Sequence, residues 1–132
     1  MSNARNLVIV ERAYRGAIEV GYFDVLYQLL ELHRQLAGVD LLLRDHAATY
    51  ALDTAEFGPE SLTGLFGGAP IAVNDPRSEV RRLLETGVRV LVCHDDIVGL
   101  RLRPERLRAG VRIVDDAELY GRWPDYSQIL YM

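Results

Sequence analysis

Gly87-Val88-Arg89-Val90-Leu91-Val92-Cys93-His94-Asp95-Asp96 is the stretch on which the fold turns. Residues 88–92 are mostly β-branched or apolar, bounded by a glycine before and polar residues after. That is the pattern of a strand buried in a parallel sheet. The strand runs out onto Cys93, the one cysteine in 132 residues. Ile97-Val98-Gly99-Leu100 offers a helical turn just behind it. Ligands of open α/β sheets sit just outside the carboxyl ends of the strands, so the single thiol stands where chemistry is expected.

Working backwards, Asp75-Pro76 supplies an N-cap and an N1 proline for a helix that Gly87 stops. Val80, Leu83 and Leu84 give its buried face, and Arg77, Arg81 and Arg82 its wet one. Residues 53–75 carry Gly58-Pro59, Gly64, Gly67-Gly68 and Pro70, and read as a long loop, a lid or binding loop in a compact domain. Residues 39–43 form a second strand, closed by Arg44-Asp45-His46 and followed by an apolar segment over 47–52. A long helix over 17–36 precedes it, with Gly38 as a C′ glycine. Its apolar residues, from Tyr22 and Phe23 to Leu32 and Leu36, exceed the stripe about 100° wide that one sheet face requires, which predicts a subunit contact. Residues 6–10 form the first strand. The turn after it puts Glu11, Arg12, Tyr14 and Arg15 on the same sheet edge as Cys93.

Working forwards, a short helix is predicted at 104–107 and a strand at 111–114. An N-capped helix then opens on Asp115-Asp116 and ends at Gly121, and a last strand covers 127–131. The order β-α-β-(loop)-α-β-α-β-α-β, without a boundary or repeat, predicts one domain over 1–132. Its class is α/β, a mainly parallel five-stranded sheet between helices on both faces.

Composition narrows the chemistry. All fifteen basic residues are arginine, which removes Schiff-base, pyridoxal phosphate and P-loop readings, each of which requires lysine. One cysteine removes an internal disulfide and a structural Cys₄ or Cys₂His₂ zinc site, and fits a reducing, cytoplasmic setting. A net charge of −4 without a basic run argues against nucleic acid. No apolar run approaches the ~20 residues that span a bilayer, and the first residues lack a signal-peptide pattern. No HxH, HExxH or CxxC spacing predicts a metal, and without GxGxxG no dinucleotide or flavin cofactor is expected.

Cys93 has two readings. Cysteine is often a small core hydrophobe. Against that, Cys93 ends its strand, and a helix starting near Asp95 or Asp96 would aim N–H groups at the sulfur and favour the thiolate. The two carboxylates themselves oppose ionisation. His94 points to the other face from Cys93 if the strand continues. His46, at the end of the second strand, is nearer in space as a partner, though a solvated loop histidine is the simpler reading. Arg101, Arg103, Arg106 and Arg108 read as a solvated face. Pocket candidates around Cys93 are Arg12, Tyr14, His46, His94, Asp95 and Asp96.

Gly87-Val88-x-Val90-x-Val92-Cys93-x-x-x-x-x-Gly99, then Leu107-x-x-Gly110-Val111 and a terminal strand, resembles the DsrE/DsrF-like family of small sulfur-relay proteins of the DsrEFH and TusBCD type. Gly38-Val39-Asp40-Leu41-Leu42-Leu43 stands where that family has its second strand, and the resemblance covers essentially the whole chain. It implies a three-layer α/β/α fold, homo- or hetero-oligomers (commonly trimers or hexamers), and a sulfur-carrying role for Cys93. There the thiolate accepts sulfane sulfur, holds it as a persulfide and passes it to a partner thiol, without metal or cofactor.

Two functions follow as expectations. The first is a cytoplasmic sulfur carrier or sulfurtransferase acting through Cys93, with donor and acceptor proteins as partners. The second is a binding or assembly module on the same fold with Cys93 a core residue. A weaker third is a small-molecule sensor using the glycine-rich loop. Thiol exposure discriminates the first two.

Overall fold

The computed structural model describes residues 6–11, 25–36, 38–53 and 76–132. Five strands form one sheet: β1 (Asn6–Val10), β2 (Val39–Leu43), β3 (Arg89–Cys93), β4 (Arg112–Val114) and β5 (Gln128–Tyr131). Their order is β4-β3-β2-β1-β5 and every pairing is parallel. The described helices are α1 (Val25–Gln35), α2 (Pro76–Thr86), α3 (His94–Gly99) and α4 (Asp116–Arg122), with short 3₁₀ turns between.

Strand side chains alternate between two faces. Val8, Val10, Val39, Leu41, Leu43, Val90 and Val92 pack one way, under Leu26 and Leu29 of α1, Val80 and Leu83 of α2, and Ile97 of α3. Leu7, Ile9, Leu42, Leu91, Cys93 and Val114 pack the other way, under Leu119 of α4, with Trp123, Tyr126 and Ile129 at the margin. Near-continuous apolar strands are what two covered faces require.

Topology explains the division. The chain steps β1, β2, β3, β4 in one direction, then returns across the sheet to place β5 beside β1. Right-handed crossovers keep connections of one direction on one face and send the returning one to the other. Hence α1, α2 and Ile97 of α3 share a face, and α4 covers the opposite one.

Local chemistry sets the ends. Gly87 takes φ +96, and the Gly87 and Val88 N–H groups donate to Leu84 O and Leu83 O, a Schellman closure of α2. That closure ties Val88 to the helix, so β3 begins at Arg89 and includes Cys93, one residue later than predicted. Likewise Val111 N donates to Arg108 O in a turn, and β4 begins at Arg112. Asp115 caps α4, its Oδ1 accepting from Glu118 N at 2.7 Å. Gly121 does not stop this helix. It takes no positive φ, and Arg122 is held one turn back to Glu118 at 2.9 Å, so α4 runs to Arg122 and into a 3₁₀ turn, Trp123–Asp125. The apolar segment at 47–52 is mostly a 3₁₀ helix, Asp45–Ala51, with Ala47, Ala48, Tyr50 and Ala51 buried.

The helix predicted over 17–36 is described from Val25 onward. Its earlier part, with Tyr22 and Phe23, lies outside the described residues, as do residues 54–75 of the predicted loop.

Candidate functional site

The candidate site lies at the carboxyl ends of β3 and β4. The connection leaving β3 turns to one face of the sheet through α3, and the connection leaving β4 turns to the other through α4. Ligands of this fold class bind outside the carboxyl ends of the strands. Cys93 is the last residue of β3 and pairs in register with Val114, the last of β4. The sole thiol therefore stands at the carboxyl edge of the sheet, between two strands whose connections leave to opposite faces.

α3 starts directly at His94, with Cys93 in the N-cap position and no side-chain capping bond. The turn comes earlier than the sequence suggested. Yet the thiol is not a ready thiolate. Cys93 is fully buried, in the cluster with Ile9, Leu91, Val114 and Leu119. Burial pushes its pKa up from 9.0 to about 11; Arg44 pulls it down, while Asp96, Asp116 and Asp95 add to the rise. Desolvation outweighs the single cation, and a six-residue helix has too small a dipole to reverse it.

Arg44 is the residue that sequence reading missed. The registered pairs end at Leu43↔Val92, and Arg44 and Cys93 are the next residues of the two neighbouring segments. Arg44 Nε donates to Asp96 Oδ2 at 3.0 Å, and the same oxygen accepts from Asp45 N at 3.1 Å. Burial would lower the Arg44 pKa, but Cys93, Asp96 and Asp116 hold it above the usual value. The sequence shows only that the second-strand apolar run ends on an arginine; its nearness to the cysteine comes from the fold. Asp116 was likewise visible only as a helix-start residue.

The other candidates disperse. His94 is exposed, 3.8 Å from an exposed Asp95. His46 is exposed on the 3₁₀ helix, where its carbonyl accepts from Thr49 Oγ1 at 2.7 Å. Of the pocket candidates, Asp96 and Asp95 act on the thiol, both against its ionisation. Arg12 and Tyr14 lie outside the described residues. Arg101, Arg103 and Arg106 are exposed, and Arg108 is drawn in to Asp53 at 3.5 Å. Among the described residues no group of three His, Cys, Asp or Glu is placed to hold a metal ion, and no helix is long and apolar enough to cross a membrane.

A single α/β domain with a five-stranded parallel sheet, helices on both faces and a lone cysteine at the carboxyl end of a strand is the class of protein so defined. Solved structures share the fold. The ychN protein from E. coli is similar with a TM-score of 0.71 at 20% identity, over 98% of this chain and 100% of that one. MTH1491 from Methanobacterium thermoautotrophicum, a protein of unknown function, is similar with a TM-score of 0.63 at 12% identity, over 98% and 100%. BT1422 from Bacteroides thetaiotaomicron, a conserved protein of unknown function, gives 0.59 at 12%, over 97% and 95%. No family model and no curated protein matches the sequence. These likenesses support the DsrE/DsrF-like fold that the sequence pattern suggested.

Proposed function

We propose that this protein is a small sulfur carrier whose Cys93 accepts a sulfane sulfur and relays it to a partner thiol. The observation that carries this reading is the position of the only cysteine, at the carboxyl end of β3 in register with the last residue of β4, with Arg44 following the neighbouring strand β2. In the transfer the Cys93 thiolate attacks the outer sulfur of a donor persulfide. A Cys93 Sγ–S bond forms, the donor S–S bond breaks, and its electron pair leaves on the donor thiolate. The resulting persulfide is attacked in turn by the acceptor thiolate, which regenerates the Cys93 thiolate.

Magnitudes set a condition. With a pKa of about 11, roughly one thiol in 10⁴ is ionised at pH 7, against roughly 3% of a free thiol. The resting fold thus stores the thiol protonated, and loading proceeds from a state in which it is uncovered. Because burial is the largest cause of the raised pKa, uncovering returns the thiol toward its ordinary range, with Arg44 as its nearby cation. A homo-oligomer is part of this reading, motivated by the wide apolar surface that the sequence carries over 17–36; sedimentation velocity tests it.

The second reading is a binding or assembly module with Cys93 as a core residue, and the complete burial of Cys93 favours it. One experiment separates the two: alkylation of the folded protein from about pH 5 to 10, with intact mass before and after a persulfide donor. Native labelling and a gain of one sulfur atom, lost in Cys93→Ser, support the carrier. A thiol that reacts only after unfolding sinks it.

A further inference from the structure

We infer that Arg44 is the side chain that holds the anion at Cys93, thiolate or persulfide, and that Asp96 is the residue that positions it. This rests on the carrier reading for its purpose, but its geometry stands separately.

Arg44 lies one residue past β2, yet it still has strand geometry. Its φ and ψ are −114° and 158°, and its N–H donates to Val10 O at 2.9 Å. Cys93 is also extended, at −84° and 137°. The alternation that puts Leu42 and Leu91 on one face therefore carries through to Arg44 and Cys93. They stand on neighbouring strands, whose backbones are roughly 5 Å apart.

Asp96 fixes how the guanidinium is presented. It grips Arg44 through Nε alone, and its own position is set by the Asp45 N–H on the same oxygen. Among the described residues no hydrogen bond engages the two Nη groups of Arg44, so the forked end remains for a ligand. A guanidinium stays charged at every working pH, and a fork on a single positive charge suits a compact, singly charged sulfur anion. The charged groups that act on the thiol are Arg44 from the end of β2, Asp95 and Asp96 from α3, and Asp116 from α4. Arg44 alone among them favours the anion.

A purely structural bolt between β2 and α3 would show the same Arg44–Asp96 contact, so the test reads the sulfur. With one cysteine in the chain, ¹³C at the cysteine Cβ reports Cys93 ionisation alone, in the folded protein and without labelling chemistry. Arg44→Gln is expected to lower the ionised fraction at a fixed pH near 10 by about tenfold. Arg44→Lys, which keeps the charge without the fork, is expected to recover part of that loss. Asp96→Asn removes a carboxylate and so raises ionisation in the Arg44→Gln background. With Arg44 present, loss of the anchor offsets this, and the rise is expected to be about threefold smaller. Should Arg44→Gln not fold, Arg44→Met is the second background. An ionised fraction unmoved by loss of Arg44, or an equal Asp96→Asn effect in both backgrounds, overturns the inference. If the cycle behaves as expected but no sulfur is gained from a persulfide donor, the carrier reading alone falls.

Discussion

The Tyr126 hydroxyl donates to Asp40 Oδ2 at 2.7 Å, across 86 positions of sequence. The same oxygen accepts from Arg89 Nη2 at 2.8 Å and Nε at 3.2 Å. Asp40 and Arg89 are in register on β2 and β3, and Tyr126 precedes β5. The knot thus ties the returning crossover to the amino end of the sheet, opposite the Cys93 edge. Asp40 is only 2% exposed, and a buried carboxylate persists only with such partners. Burial and the bond to Asp40 both push the Tyr126 pKa up.

Removing the centre of this knot should cost most. Asp40→Ala leaves Arg89 without its partner and is expected to lose about 3 kcal/mol. Tyr126→Phe removes one bond and should lose about 1 kcal/mol. The double variant should be less destabilised than the sum, because the two share one oxygen. Urea unfolding measures all three; strict additivity would mean that the contacts do not work as a unit.

Stability should fall at alkaline pH in a way that traces to Cys93. Folded Cys93 keeps its proton to about pH 11, an unfolded thiol to roughly 8.5. Stability from this group is whole below the unfolded pKa and is lost as pH rises through the folded one. Between them the unfolded chain binds fewer protons, so the loss is up to about 1.4 kcal/mol per pH unit. Tyr126, also raised, extends the fall to higher pH. Cys93→Ala should be less stable near neutrality by about 1 kcal/mol, from lost packing, yet flatter across the alkaline limb. Parallel curves for the two proteins would contradict the raised thiol pKa.

The sheet was legible because its strands are runs of Val, Leu and Ile cut off by glycine and charge, and β1 and β2 have the predicted bounds. The boundaries that moved, at Val88 and Val111, did so because hydrogen bonds tie each to the turn before the strand. Gly121 misled for the opposite reason: a glycine ends a helix only when the backbone turns left-handed there. At the site, the position of Cys93 was readable from its strand. Its raised pKa was not, because burial under Leu119 depends on which face α4 covers. Arg44 was hidden because register between strands separated by 49 residues is a property of the fold.

Loosening α4 should uncover the thiol. Leu119 of α4 packs in the Cys93 cluster, and Asp115 caps that helix through Glu118 N. Asp115→Ala should weaken the helix by about 1 kcal/mol, which corresponds to roughly fivefold more opening if α4 frays locally. Alkylation of Cys93 at fixed pH should accelerate by that factor, well below the denaturant midpoint. An unchanged rate would show that α4 is not the cover.

On the proposed carrier reading, the charge around the thiol should select among sulfur donors. Asp95, Asp96 and Asp116 outnumber Arg44 among the groups acting on Cys93. A dianionic donor approaches against this field, whereas a persulfide on an uncharged carrier does not. Thiosulfate, attacked at its outer sulfur with sulfite leaving, should therefore load Cys93 more slowly than a neutral alkyl persulfide at low salt. Raising ionic strength from about 0.01 to 1 M shortens the screening length from about 30 to 3 Å, so the gap between the two donors should narrow several-fold. Asp116→Asn should speed thiosulfate selectively at low salt, since it removes one repelling charge from α4 without touching the Arg44–Asp96 contact. Intact-mass time courses with both donors measure this. Equal rates at low salt, insensitive to Asp116→Asn, would mean that the carboxylates do not face the path by which the donor enters.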